Sequence, residues 1–159
     1  MRPKFKLKKF LFTKARLEEL EKEKQQLAID REKTVLELSD ARAMGDLSEN
    51  GYYKAARQKL SSTDRRIRQV EIFLLNAQII SGSRNDIVSL GSKVRVDISG
   101  KEREFMIVGE EEANPSAGKI SNRSPIGRAL LGKKKGDSIE IEAPGGRTWY
   151  EIKAIHKGE

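Results

Sequence analysis

Two stretches of regularly spaced apolar residues constrain what this chain can fold into. Each stretch alternates steps of three and four residues, and 12 of the 16 positions in the two series are apolar. The first series runs from Leu17 to Ala41 and the second from Tyr53 to Ala77. Such spacing places one apolar stripe along each of two helices. Because the two series mirror each other about residue 47, they predict an antiparallel coiled-coil hairpin over residues 13–80 with its tip at 45–50.

Four polar residues interrupt these stripes, namely Lys24, Arg31, Thr34 and Thr63. Polar residues in a helical seam lower stability but can fix the register of the two helices. Because each apolar stripe is covered by the other helix of the same hairpin, we expect the protein to be a monomer.

Composition narrows the classes of function. The 159 residues suffice for one ordinary domain or two small ones, and they include no cysteine, which excludes disulfides and suits a reducing cytoplasm. No apolar run approaches the ~20 residues of a membrane span, so no membrane partner is expected.

Residues 1–83 carry 18 Lys/Arg against 12 Asp/Glu, beginning with a basic arm over residues 1–12. This excess of positive charge favours a polyanionic partner, with nucleic acid the leading candidate.

The pattern changes after residues 81–85, which we interpret as a linker. Ser124 is typical of a helix N-cap and is followed by proline, which predicts a short helix through Leu131. Residues 86–159 thus predict a small antiparallel sheet with one short helix, and the whole chain an α+β fold. Alternation with a period of two predicts four strands, at 93–98, 102–108, 138–143 and 149–155.

The predicted tip carries two carboxylates, Asp46 and Glu49. Gly45 can end the first helix, and the two acids have the spacing of a capping box for the second, which would give them a purely structural role. Alternatively, two carboxylates at an exposed apex can share a divalent cation. Mg²⁺ usually takes only one or two protein carboxylates beside water and phosphate oxygens, so a partner would supply the other ligands. The spacing alone leaves both interpretations open.

Basic residues lead along the hairpin towards this tip. Such a row can follow a phosphate backbone, or it can be a solvated face neutralised by salt bridges. Tyr53 falls on the seam and is predicted to be core, whereas Tyr52 lies off the seam, where it can stack on a base. The basic candidates are Arg42 on the first helix and Lys54, Arg57, Arg65 and Arg68 on the second.

Two segments, one in each predicted domain, carry a family resemblance. They are Gly45–Asn50 (Gly-Asp-Leu-Ser-Glu-Asn) at the tip and Ser124–Lys133 (Ser-Pro-Ile-Gly-Arg-Ala-Leu-Leu-Gly-Lys) in the second domain. Both resemble signature segments of the bacterial Gre transcript-cleavage factors. The resemblance covers about residues 12–156, although Arg123 and Gly127 stand where the family often has Asn and Ala.

The resemblance implies a coiled-coil hairpin followed by a domain similar in fold to FK506-binding proteins. It implies that this domain docks on the rim of the RNA polymerase secondary channel through the segment Ser124, Pro125 and Ile126. The tip would then enter the channel, where Asp46 and Glu49 help to hold the second Mg²⁺ of the polymerase.

The resemblance also assigns roles to other residues. Ser48 would position the water or the phosphate, and Arg42 and Arg57 match positions that contact the extruded RNA 3′ end. The chain would not itself be an enzyme and would bind no cofactor alone, since it activates the polymerase to cleave backtracked RNA.

Two alternatives stay open at this point. One is an inhibitory relative that occupies the same channel, and the other is a general nucleic-acid-binding coiled coil without a polymerase partner.

Two further sequence patterns resemble known functional motifs, but neither predicts a functional site. Gly127–Lys133 has the frame of a phosphate-binding loop but is followed by Lys134 instead of Ser or Thr, and His156 is the only histidine.

Overall fold

The computed structural model describes residues 8–44, 51–82, 87–143 and 146–158. The chain divides into two units, of which one is Leu17–Asn76 and the other combines the residues before Leu17 with those from Ala77 onward. In chain order the elements are β1 (Phe10–Phe12), α1 (Lys14–Ala43), α2 (Gly51–Leu75), β2 (Ala77–Ile79), β3 (Ser92–Ile98), β4 (Lys101–Val108), β5 (Lys119–Ser121), α3 (Pro125–Leu130), β6 (Ser138–Ala143) and β7 (Gly146–Lys157).

The helical unit consists of α1, which has 30 residues, and α2, which has 25. Thr13 precedes α1, and its hydroxyl accepts a hydrogen bond from the backbone N–H of Arg16 at 3.2 Å, as an N-cap does. At the end of α2, the side-chain amide of Asn76 donates to the carbonyl of Ile72 at 2.9 Å and satisfies one of the last carbonyls. The buried residues of the two helices are Leu20, Thr34, Ala41, Ala56, Val70 and Phe73.

The ends of the predicted hairpin differ from the structure. Helix α2 stops at Leu75 instead of continuing to residue 80, and Ala77–Ile79 forms strand β2, which runs parallel to β1. Residues 10–12 of the predicted basic arm are therefore part of a strand, and Phe12 is fully buried. The physical reason is non-local pairing, since β2 gains its hydrogen bonds from a segment more than 60 residues earlier, which periodicity within α2 cannot reveal.

The other unit is built on a five-stranded sheet in the order β5-β4-β3-β7-β6. Ser99 and Gly100 both have positive φ, at 55° and 83°, and close the tight turn between β3 and β4. The twelve-residue strand β7 pairs antiparallel with both β3 and β6, whereas β5 pairs parallel with β4. The predicted fold class is confirmed, because a helical hairpin precedes a mostly antiparallel sheet with one short helix.

The core of this unit lies on one face of the sheet. Val94 and Val96 are fully buried, while Lys93 and Arg95, which precede them, are exposed, as the alternation in sequence predicts. Each fully buried Val or Ile side chain contributes about 1.5–3 kcal/mol by leaving water. The buried cluster comprises Val88, Val94, Val96, Ile107, Ile120, Leu130, Ile139, Ile141 and Ile152.

Candidate functional site

The two predicted tip acids and the neighbouring serine, Asp46, Glu49 and Ser48, lie outside the described residues. The described part of α1 ends at Ala43 and that of α2 begins at Gly51. The capping and metal-binding roles of these residues therefore stay predictions, and the described residues around them carry the structural argument.

At the end of the described helices nearest to that segment, Arg42 contacts Tyr53. The guanidinium carbon of Arg42 lies 5.9 Å from the centroid of the Tyr53 ring, within the range of a cation–π interaction. Tyr53 is half-buried, as its position on the seam predicts, whereas Tyr52 is 47% exposed. Arg42 itself is exposed, so it joins the two helices and still presents its charge to solvent.

Ion pairs fix how the two helices are paired. The two charged residues that interrupt the seam on α1 each meet an acid on α2, since Lys24 lies 3.1 Å from Glu71 and Arg31 lies 2.6 Å from Asp64. Exposed pairs of this kind contribute about 0.2–1 kcal/mol each, so their main effect is on register. Two further cross-helix pairs are Glu37 with Lys59 at 3.0 Å and Glu23 with Arg66 at 2.6 Å.

The pair between Arg66 and Glu23 is the most specific of these contacts. Nε and Nη2 of Arg66 donate to the two carboxylate oxygens of Glu23 at 2.6 and 3.0 Å, in a two-pronged arrangement. The hydrogen bond from Glu23 raises the pKa of the Arg66 guanidinium above its usual value. Arg66 is therefore charged at any working pH, and its charge is neutralised within the hairpin.

Helix α2 carries six basic residues against two acidic ones, and the basic residues fall into two sets. Lys59 and Arg66 face α1 and are paired with its acids. The other four are exposed, and none forms an ion pair with any residue in the described ranges. These four, which we call the basic stripe, are Lys54, Arg57, Arg65 and Arg68.

The basic stripe occupies one face of α2. At about 100° per residue its four members fall within an arc of about 80° and extend over about 21 Å of helix. Lys54, Arg57 and Arg65 border a shallow depression whose floor is formed by small or polar side chains such as Ser61. A row of cations along one helix face attracts an extended polyanion. Within the part of the chain that the structure describes, no acid neutralises this row, so the alternative of a salt-bridged face does not apply there.

Ser124, Pro125 and Ile126 lie at the start of α3. The hydroxyl of Ser124 accepts from the N–H of Gly127 at 3.0 Å and donates to the carbonyl of Ser121 at 2.7 Å, so Ser124 is the predicted N-cap. Pro125 is exposed, and the segment borders an apolar groove of about 370 Å³. The other walls of the groove are Ala113, Pro115, Ile120, Ser121, Ile141 and Glu142.

Sequence reasoning missed those walls and also missed a buried acid, Glu112. The walls come from three separate segments, and only the strand at 138–143 was predicted, so no local pattern identifies the groove. The backbone N–H and the hydroxyl of Thr13 both donate to the carboxylate of Glu112, at 2.7 and 2.6 Å. The signal available in the sequence was Thr13 as a helix N-cap, but its partner lies 99 residues away.

Within the described ranges, no group of three or more His, Cys, Asp or Glu residues is arranged to hold a metal ion. Among the same residues, no helix has the length and apolar character needed to cross a membrane.

Comparison with known proteins assigns most of the chain to one protein family. A family model described as "Transcription elongation factor, N-terminal" matches residues 10–79, and one described as "Transcription elongation factor, GreA/GreB, C-term" matches residues 83–157. Transcription elongation factor GreA of Clostridium acetobutylicum is 44% identical over 153 residues, covering 93% of this chain and 97% of the relative. The GreA of Paracoccus denitrificans is 40% identical over 153 residues, covering 94% and 98%.

Among solved structures, GreA factor homolog 1 of Thermus thermophilus is 28% identical to this chain. The match covers 94% of this chain and 99% of that one, with a TM-score of 0.45.

Proposed function

This chain belongs to the GreA/GreB family of transcription elongation factors, and we propose that it enters the secondary channel of RNA polymerase and stimulates cleavage of backtracked RNA by the polymerase. The chain is not the enzyme in this reaction. It acts as a monomer in the cytoplasm, where the polymerase works, and the RNA 3′ end extruded into the channel is its second partner.

The observation that carries the proposal is the basic stripe. A helix that leads to two carboxylates and carries four cations with no ion pair to an acid among the described residues suits a path along a phosphate backbone. Lys54 and Arg57 are nearest to the tip in sequence, and Arg65 and Arg68 lie further along α2. Cations there neutralise the RNA backbone while the hairpin end approaches the reacting phosphate.

We propose roles for the residues around the tip as well. Arg42 is held against Tyr53 and presents its exposed guanidinium to the extruded RNA. Tyr52, about half exposed, offers a ring on which an RNA base can stack, a contact worth about 1–3 kcal/mol per base. Arg42 lies in the last turn of α1 and Tyr52 in the first turn of α2, on either side of the tip in sequence, so both would meet the RNA near its 3′ end.

Asp46 and Glu49 are proposed to complete a magnesium site that belongs to the polymerase. A pair of Mg²⁺ ions in such a centre orients the attacking water and stabilises the leaving oxygen. The chain contributes two oxygen ligands, and Ser48 contributes a hydroxyl that positions the water or the phosphate. Since one or two carboxylates are too few to hold Mg²⁺ alone, the isolated chain binds no metal and its effect appears only in the complex.

The groove beside α3 is the proposed docking surface. Ser124, Pro125 and Ile126 form its edge, and its walls are mostly apolar. An apolar groove with a few polar groups suits insertion of an apolar side chain from the polymerase, which would set the affinity of the complex without taking part in the chemistry.

The proposal is tested with purified RNA polymerase stalled in a backtracked elongation complex in the presence of Mg²⁺. Adding the wild-type protein is expected to release a 3′ fragment of the labelled transcript and to let synthesis resume. Inhibition of synthesis or cleavage with the protein bound would instead identify an inhibitory channel protein. Salt-sensitive binding to free RNA with no effect on the stalled complex would identify a general nucleic-acid-binding coiled coil.

A further inference from the structure

Glu112 is a buried carboxylate that the proposed function does not use. Its side chain is fully shielded from solvent, and it lies at the end of a short 3₁₀ segment, Glu110–Glu112, between β4 and β5. Burying an ionised carboxylate costs several kcal/mol unless it is paired and hydrogen-bonded. Hydrogen bonds to both carboxylate oxygens of Glu112 offset this cost.

Two of the three groups that engage Glu112 belong to one residue, Thr13. The backbone N–H of Thr13 donates at 2.7 Å and its hydroxyl donates at 2.6 Å, while Nζ of Lys119 lies at 3.0 Å. Thr13 is itself only 3% exposed. Thr13, Glu112 and Lys119 thus form a closed, fully satisfied polar cluster, which we call the Glu112 clamp.

The Glu112 clamp acts on the start of α1. The Thr13 hydroxyl donates its proton to Glu112, which leaves a lone pair to accept from the N–H of Arg16 in the first turn of the helix. The negative charge of Glu112 also lies at the end of the helix where the backbone dipoles favour an anion. The first turn of α1 is therefore both capped and attached to the β4–β5 connection.

Helix α1 continues for 30 residues, or about 45 Å, from the clamp to its end. The tip acids follow that end in sequence, so the clamp holds the first turn of the helix that leads to them.

We propose that Glu112 is a positioning residue for transcript cleavage, which fixes the start of α1 and touches neither RNA nor polymerase. This inference rests on the proposed function, because the role is defined by delivery of the tip. It predicts that Glu112 governs the cleavage rate of the assembled complex, while the affinity for polymerase is set elsewhere.

The test compares Glu112→Gln with Glu111→Gln, in cleavage assays over a range of protein concentrations. Glu111 is the adjacent acid and is paired on the surface with Lys8, so the control removes the same charge outside the clamp. For Glu112→Gln, we expect the maximal cleavage rate to fall about tenfold or more, as misplaced reacting groups cause. The concentration for half-maximal effect should stay within about twofold of wild type, and Glu111→Gln should change neither quantity.

A second measurement needs no polymerase. Hydrogen exchange at the amides of Thr13 and Arg16 should become about tenfold faster or more in Glu112→Gln, while the amides of Val94 and Val96 in the sheet keep their protection. If Glu112→Gln does not fold, Thr13→Val decides the question. It removes the hydroxyl but keeps the shape and the backbone N–H, so faster exchange is expected at Arg16, together with a lower maximal cleavage rate at unchanged affinity.

Three results would overturn the inference: unchanged exchange at Thr13 and Arg16, an unchanged maximal rate, or a loss of affinity that accounts for the whole effect. Failure of the wild type to stimulate cleavage would overturn the proposed function as well. In that case the exchange data would still show whether the clamp holds the start of α1, so the two failures are distinguishable.

Discussion

At the scale of single residues, the backbone of Ser121 approaches Gly127 so closely that it leaves no room for a side chain at that position. Gly127 lies in the first turn of α3, where the carbonyl oxygen of Ser121 occupies the space that a Cβ atom would need. The obstacle is backbone and is tied to Ser124, whose hydroxyl bonds both to that carbonyl and to the N–H of Gly127. An alanine here would have to displace the N-cap of α3, and with it the edge of the groove.

We therefore predict that Gly127→Ala lowers the free energy of unfolding by about 1–3 kcal/mol, the usual cost of overpacking. The matched control is Gly51→Ala, because nothing lies within 4 Å of a Cβ at Gly51. Alanine in that helix is expected to be neutral or to stabilise by up to about 1 kcal/mol. Urea unfolding measures both, with the fluorescence of Trp149 reporting on the sheet and circular dichroism on the helices. Equal stability of Gly127→Ala and wild type would contradict the account of this contact.

At the scale of elements, two adjacent arginines of α2 have different roles. Arg65 is exposed and belongs to the basic stripe, whereas Arg66 is bound to both oxygens of Glu23 on α1. The two positions are about 100° apart around the helix, which is enough to separate an outward face from one that meets the other helix.

The same substitution at these two positions should separate binding from stability. Arg65→Gln is expected to weaken the contact with RNA, to reduce the slope of affinity against salt by about one, and to leave the melting of the hairpin within about 0.5 kcal/mol of wild type. Arg66→Gln should cost the hairpin about 0.2–1 kcal/mol and leave the salt slope unchanged. Crosslinking to extruded RNA at several salt concentrations, together with thermal melting, measures both effects. Equal salt slopes for the two variants would show that the basic stripe does not meet RNA.

The elements also show which patterns in the sequence are sufficient to predict a helix or a strand. The helices were predictable because apolar residues recur over many turns, and β3 and β4 were predictable because alternation ends at a Ser-Gly turn. Strands β1, β2 and β5 have three residues each, which is too short for a period, and their partners are distant in sequence. The parallel pairing of β5 with β4 therefore could not be predicted from local pattern.

At the scale of the whole molecule, docking and chemistry are assigned to different units of the chain. We predict that Ile126→Ala, in the groove, raises the protein concentration needed for half-maximal cleavage and leaves the maximal rate unchanged. The physical reason is that an apolar anchor contributes to affinity in the ground state and the transition state alike. This outcome is the reverse of the one expected for Glu112→Gln.

The matched control for that experiment is Ile79→Ala, because Ile79 is 62% exposed and does not border the groove. Ile126 packs partly on the core, so Trp149 fluorescence should first establish that the variant is folded. A fall in the maximal rate at unchanged half-maximal concentration would show that the groove is not the docking surface.

The candidate site as a whole was only partly predictable. The basic stripe could be found from helical spacing. That no acid among the described residues pairs with it depends on which cations face α1, and the structure was needed to show this. The tip acids were predicted from a local signature, and their roles stay a prediction because Asp46 and Glu49 lie outside the described residues. Glu112 could not be found, because a buried charge is explained only by partners that the fold brings to it.

The most direct test of the central claim is RNA cleavage in a backtracked complex with Asp46→Asn. Asparagine is about as good a helix N-cap as aspartate, so a purely structural role at this position would survive the change. Asp40→Asn is the matched control, because it removes one exposed carboxylate from α1 close to the same end. We predict that Asp46→Asn lowers the cleavage rate by about 100-fold at saturating protein, with affinity and helicity unchanged, and that Asp40→Asn cleaves as wild type does. Equal cleavage by Asp46→Asn and wild type would contradict the account and leave Asp46 a helix cap.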